Sequence, residues 1–137
     1  MSLAEWIRVA GLAALVGTAA ACGGGTSAPS SPSSGTGASA TCGSGTTIVI
    51  ANNTVCPSTL TVPLGSQVTF VNNDSRAHEM FSDPHPEHTD CPEINQVGHL
   101  EPGQSRQTGN LVIARSCGFH DHINFQVTSL QGTITIR

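Results

Sequence analysis

The sequence predicts an all-β domain, a sandwich or barrel, on three observations. Apolar residues alternate with period two in Thr/Val/Ile-rich runs, the mark of strands buried on one face. No window of helical period interrupts them. Turn-forming stretches separate the runs at short intervals, as hairpin-built sheets require.

Taken in order, the chain opens with residues 1–21, where Arg8 precedes a small, apolar run from Val9 to Ala21. This is an export signal, too short to span a bilayer comfortably. Small residues running into Cys22-Gly23-Gly24-Gly25 resemble a bacterial lipoprotein signal, which implies a lipid on Cys22 and a membrane anchor. Simple secretion with cleavage near Ala21 is the alternative. Residues 22–41 are almost wholly Gly, Ser, Thr, Ala and Pro, a composition that cannot offset its chain entropy by burial. They read as a flexible linker with a reach of roughly 25 Å.

Residues 42–137 remain for one domain with a single small core. Its expected strands carry Ile48 and Ile50, Leu60 and Val62, Val68 and Phe70, Leu111 and Ile113, and Ile134 and Ile136 at alternate positions. The turns fall at Pro63-Leu64-Gly65-Ser66, Asn72-Asn73-Asp74 and Glu101-Pro102-Gly103-Gln104. Without its leader the chain has no Trp, Tyr or Lys, and its four arginines face eight acids. Nucleic acid is therefore not an expected partner, whereas a basic protein would be steered toward the domain.

The residues that carry chemistry lie close to the C-terminus. Cys117, His120 and His122 stand within six positions of one another, just before the closing run Gly132-Thr133-Ile134-Thr135-Ile136-Arg137. In an extended segment His120 and His122 project to the same side, with Asp121 opposite. Imidazole and thiolate are copper ligands, and His78 stands upstream as a third histidine.

The order of these pieces resembles the cupredoxins of the plastocyanin and azurin type. The resemblance rests on Val62-Pro63-Leu64-Gly65-Ser66-Gln67-Val68-Thr69-Phe70-Val71-Asn72, then His78, then Cys117-Gly118-Phe119-His120, then the Gly132-Thr133-Ile134-Thr135-Ile136 strand. It implies a cupredoxin-like Greek-key β-sandwich or barrel, copper as cofactor, and His78, Cys117 and His120 as ligands. The family's axial methionine has no counterpart after Cys117. Gln126 is its candidate substitute, in which case His122 becomes the matching imidazole. Met80 is expected in the core.

Cysteine arithmetic opens a second arrangement. Apart from Cys22, the chain has Cys42, Cys56, Cys91 and Cys117, an even number for an oxidising compartment. Cys42 is expected to pair with Cys56. If Cys91 pairs with Cys117, no thiolate remains, and the site must be built from His78, His120 and His122. Both arrangements stay open. So does the role of the polar cluster Asp83-Pro84-His85-Pro86-Glu87-His88-Thr89-Asp90-Cys91-Pro92, a proline-stiffened loop that either gathers metal or is merely polar. His99 is expected to be structural or exposed.

The expected function is a copper-binding electron carrier rather than an enzyme, monomeric, exported to the periplasm or cell surface, and working with a redox partner protein. Copper sequestration or delivery by an all-histidine site is the alternative. A metalloenzyme using Asp121 or Glu79 to move protons, and a metal-free binding domain, stand below both.

Overall fold

A computed structural model describes residues 41–137. The export signal and nearly all of the linker lie outside the described residues. Nine strands follow in chain order: β1 (Thr47–Ala51), β2 (Thr54–Cys56), β3 (Thr59–Val62), β4 (Thr69–Asn72), β5 (His78–Ser82), β6 (Gly98–Leu100), β7 (Ser105–Gln107), β8 (Arg115–Asp121) and β9 (Gln131–Ile136). Among the described residues the only helical elements are two single 3₁₀ turns, Ile94–Gln96 and Thr128–Leu130.

The strands form two sheets, ordered β2-β1-β4-β7 and β3-β9-β8-β5-β6. β1 and β2 make a hairpin whose two connecting residues, Asn52 and Asn53, have φ of 52° and 59°. Asparagine tolerates this left-handed backbone, as a tight hairpin demands. β1 runs parallel to β4 and β3 parallel to β9, so each sheet is mixed. Between the sheets lie Ile48, Ile50, Val62, Val68, Phe70, Met80, Leu100, Leu111, Phe119, Leu130, Ile134 and Ile136, all essentially sealed from solvent. Burial of side chains this size stabilises the fold by about 1.5–3 kcal/mol each. Phe70 and Phe119 meet edge to face at its centre, with ring centres 5.2 Å apart.

Four of the five expected alternating runs are strands or lead directly into one. Leu111 and Ile113 differ. Leu111 is buried and forms one isolated bridge with Ser66, but the chain then leaves the sheet, with Val112 and Ile113 more than half exposed. The strand that follows is β8, whose core-facing residues are Cys117, Phe119 and Asp121. Its outward residues in turn include Gly118 and His120. An acid on the inner face and a buried imidazole on the outer one hide the alternation that a strand normally shows.

Both cysteine pairs are disulfides, Cys42–Cys56 with Cα atoms 4.9 Å apart and Cys91–Cys117 with Cα atoms 5.8 Å apart, spacings suited to such bonds. The first ties the start of the domain to β2. The second, wholly buried, ties the chain after β5 to β8.

Candidate metal centre

β5 and β8 are antiparallel neighbours, with Met80 opposite Asp121, Phe81 opposite His120 and Ser82 opposite Phe119. Side chains of a strand alternate between faces, so His78, Met80 and Ser82 share the core face with Phe119 and Asp121. Phe81 and His120 lie on the outer face. The chain leaving β5 folds back over that face as the loop 83–90. Asp83 N–H donates to the Gly118 carbonyl (3.0 Å), and Asp90 N–H donates to the Asp83 carbonyl (2.8 Å). Asn95 fastens the loop from behind, donating to the His88 carbonyl and accepting from Ser82 N–H. Under this cover His120 is buried, although it points away from the core.

Three imidazoles converge there. Ring nitrogens of His88, His120 and His122 all lie within 4.8 Å of one another. His122 Nδ1 and His88 Nε2 are 3.1 Å apart. Phe81 forms the floor, stacked on His88 with ring centres 4.6 Å apart. His88 itself has φ of 53°, a left-handed backbone uncommon outside glycine that histidine tolerates better than most residues. Burial holds its protonation below the ordinary histidine range, and the neighbouring imidazoles of His122, His120 and His85 push the same way. The neutral ring is the form that binds metal.

His120 shows the arrangement most clearly. Its Nδ1 lies 2.6 Å from Asp83 Oδ1, while its Nε2 is buried with no hydrogen-bond partner. A carboxylate on one ring nitrogen fixes the orientation of the ring and frees the other nitrogen for a metal. Gly118 makes this possible, because a Cβ there would run into the Asp83 carboxylate. The donor set thus fits one metal ion held by imidazole alone.

Two expected ligands do not join this group. Cys117 is corrected: its sulfur is bonded to Cys91 and faces the core, so it offers no thiolate. It also lies three residues along β8 from His120, about 10 Å away at strand spacing and on the opposite face. His78 is corrected as well, because it occupies the inner face and stands outside the three-histidine group, with its Nδ1 donating to Asp121 Oδ2 at 2.9 Å. Asp121 there accepts three further hydrogen bonds, from the backbone of Glu79 and Ile123 and from Asn124. It is a satisfied, buried anchor for the turn after β8. On the far side of His78, Nε2 is likewise buried without a hydrogen-bond partner, with Asp74 Oδ2 3.4 Å away, but among the described residues it belongs to no group of three ligand side chains.

The other candidates sort similarly. Gln126 is exposed and stands outside the three-histidine group. Met80 is in the core, and His99 is exposed beside Glu101. Phe119 is core, whereas Phe125 is partly exposed and stacks on His85 with ring centres 4.0 Å apart. His88 was only half legible in the sequence, as one member of a polar loop. The signal that marks it is the pairing of His88-x-x-Cys91 with Cys117-x-x-His120, which the disulfide brings side by side.

Solved structures of the same shape include a purple cupredoxin from Nitrosopumilus maritimus, 18% identical, with a TM-score of 0.52 over 68% of this chain and 100% of that one. The chain has the cupredoxin fold. The oxidised plastocyanin of Dryopteris crassirhizoma superposes equally well, at 19% identity and a TM-score of 0.52 over 66% of this chain and 99% of that one. A copper-containing nitrite reductase from Thermus scotoductus matches at 19% identity and a TM-score of 0.50, over 66% of this chain and only 22% of its own. No family model matches the sequence, and no curated protein matches it. The cupredoxin fold here carries its cluster of histidines on the outer face of the β5–β8 pair, with both sulfurs of the nearby cysteines already bonded.

Proposed function

We propose that this cupredoxin-fold chain is an exported protein that holds copper through imidazole alone, at His88, His120 and His122, and serves to sequester or deliver it. The observation that carries the proposal is the buried, unpartnered Nε2 of His120, set among the other two imidazoles and fixed from behind by Asp83. A buried polar nitrogen without a partner costs free energy unless something binds it. Among the common divalent ions, nitrogen donors hold Cu(II) most tightly. The disulfides agree with an oxidising compartment, and a lipid on Cys22 would keep the domain at a membrane surface.

Electron transfer is the second reading. It is favoured by one observation: His122 is partly exposed beside exposed Ile123 and Phe125, which would bring the edge of a bound ion close to the surface. Its partner would then be a basic redox protein meeting a monomer of net charge −4.

Titration with Cu(II), followed by absorption and electron paramagnetic resonance, tests the proposal. The expected result is one tightly bound ion per chain and only weak visible absorption. An intense thiolate-to-copper band, or no stoichiometric binding, overturns it. Fast reversible cycling of the bound ion at an electrode would favour the carrier, whereas slow cycling with ready transfer to a copper chelator would favour delivery.

A further inference from the structure

A fourth imidazole stands at the same centre. His85 has its ring centre 4.9 Å from that of His122, 5.6 Å from His120 and 5.8 Å from His88. The three histidines of the convergent group are themselves 4.9, 5.3 and 6.3 Å apart. His85 is therefore as much a member of the cluster as any of them. What separates it is the aim of its nitrogens, because its ring lies flat on Phe125, with 7° between the planes.

We infer that His85 is the fourth ligand of the ion held by His88, His120 and His122, an inference that rests on the metal-binding reading above. A histidine bound at about 2.0–2.1 Å has its ring centre roughly 3.2 Å from the ion, so four of them stand about 5.2 Å apart in a tetrahedron. In a square the same bond length gives about 4.5 Å between neighbours and about 6.4 Å across the ion. Four of the six separations fall between these limits, and the other two, 5.3 and 5.6 Å, exceed the tetrahedral value by at most about 0.4 Å. The two longest, His120–His122 at 6.3 Å and His85–His88 at 5.8 Å, share no residue and so form the two diagonals. The other four, 4.9–5.6 Å, are the sides. A flattened four-nitrogen arrangement of this kind suits Cu(II).

The loop explains how His85 can be both fixed and mobile. It sits between Pro84 and Pro86, whose rings lock their own φ, and a residue before proline is confined to extended backbone. The Cα is thus stiffly placed above the other three histidines. Only the two side-chain torsions are needed to lift the ring from Phe125 and turn a nitrogen toward the ion. With His85 on Phe125 the site has three donors and an open side; with His85 turned inward it has four and is closed.

The test compares wild type with His85→Phe, which keeps a ring to stack on Phe125 but removes the donor. Purified protein is loaded with one equivalent of Cu(II), the nitrogen couplings are counted by electron paramagnetic resonance, and affinity is measured by chelator competition. The expected result is four nitrogens in wild type and three in His85→Phe, with affinity reduced at least about ten-fold, the scale on which losing even a supporting partner of a ligand acts. His85→Ala, checked for fold by circular dichroism, should give the same two readings. Identical couplings and affinities within about two-fold in all three proteins would overturn the fourth ligand and leave the three-histidine site standing. Failure of wild type to bind Cu(II) would overturn both.

Discussion

His78 and Asp121 face each other on the inner side of the second sheet, Nδ1 to Oδ2 at 2.9 Å, while His120, the neighbour of Asp121, points through the opposite face. One strand therefore contributes to two unrelated polar sites. The inner one closes the end of the sandwich by linking Asp74, His78, Asp121 and Asn124, and the outer one gathers the imidazoles.

Replacing His78 by Ala should accordingly damage stability rather than metal binding. Asp121 would lose one of its four partners inside the protein, and a buried cavity would open, a cost of about 2 kcal/mol or more. Urea unfolding measures the loss, and a parallel copper titration should still give one ion per chain. Disappearance of tight copper binding from a folded His78→Ala protein would return His78 to the site.

Asp83 and Gly118 should act as one unit. Asp83→Asn weakens the acceptor behind His120, and copper affinity is expected to fall about 10- to 100-fold without change of fold. Gly118→Ala, which touches no imidazole, should produce a loss of the same order by displacing the Asp83 carboxylate. Chelator competition on both variants checks this, and an unaltered affinity in Asp83→Asn would show that the Asp83–His120 contact does not support the metal.

Asp74 gives a pH dependence at the inner site. Its partial burial raises the pKa, but this is outweighed by the hydrogen bonds it accepts from the backbone of Asn53 and Ser75 and by the nearness of His78, so the carboxyl is held below its ordinary value. A depressed folded-state pKa means that the unfolded chain binds the proton first. The stabilisation is present above the unfolded value of about 3.9 and is lost as pH falls through the folded one. The stability difference between wild type and Asp74→Asn should therefore be largest near pH 6 and shrink below pH 4, read from urea midpoints. A difference independent of pH would assign the effect of Asp74 to packing instead.

The Cys91–Cys117 bond should support both fold and site. The double variant Cys91→Ser/Cys117→Ser is expected to lose about 3 kcal/mol of stability in the chain-entropy picture. Its copper affinity should fall as well, because the bond stands three residues from His88 on one side and three from His120 on the other. Calorimetry with and without copper separates the two losses.

Much of this was legible in the sequence because β3, β4 and β9 carry alternation and β1 a short apolar run. β5 and β8, the strands that make the site, do not: His78 and Asp121 occupy inner positions, and the imidazole of His120 an outer one that a loop then buries. The family pattern correctly indicated the fold and pointed to His120 on the outer face, but also to His78 and Cys117, which lie on the inner one. Period two alone placed His120 and His122 together. The loop of His85 and His88 was open in the sequence as one that gathers metal, but its convergence on them was not fixed there, because it depends on the loop turning back over its own sheet, through hydrogen bonds from Asp83, Asp90 and Asn95 that leave no periodic trace.

The buried sulfur bridge also shapes the chain when it is not folded. Through it, His88 and His120 are joined by a path of only a few residues even in urea, where the direct route would run through more than thirty. A shorter tether raises the local concentration of one imidazole about the other. The oxidised, denatured chain should therefore retain an appreciable grip on copper, and binding to the denatured form diminishes the rise in melting temperature that a ligand would otherwise cause. Copper and the disulfide would then be partly redundant as stabilisers.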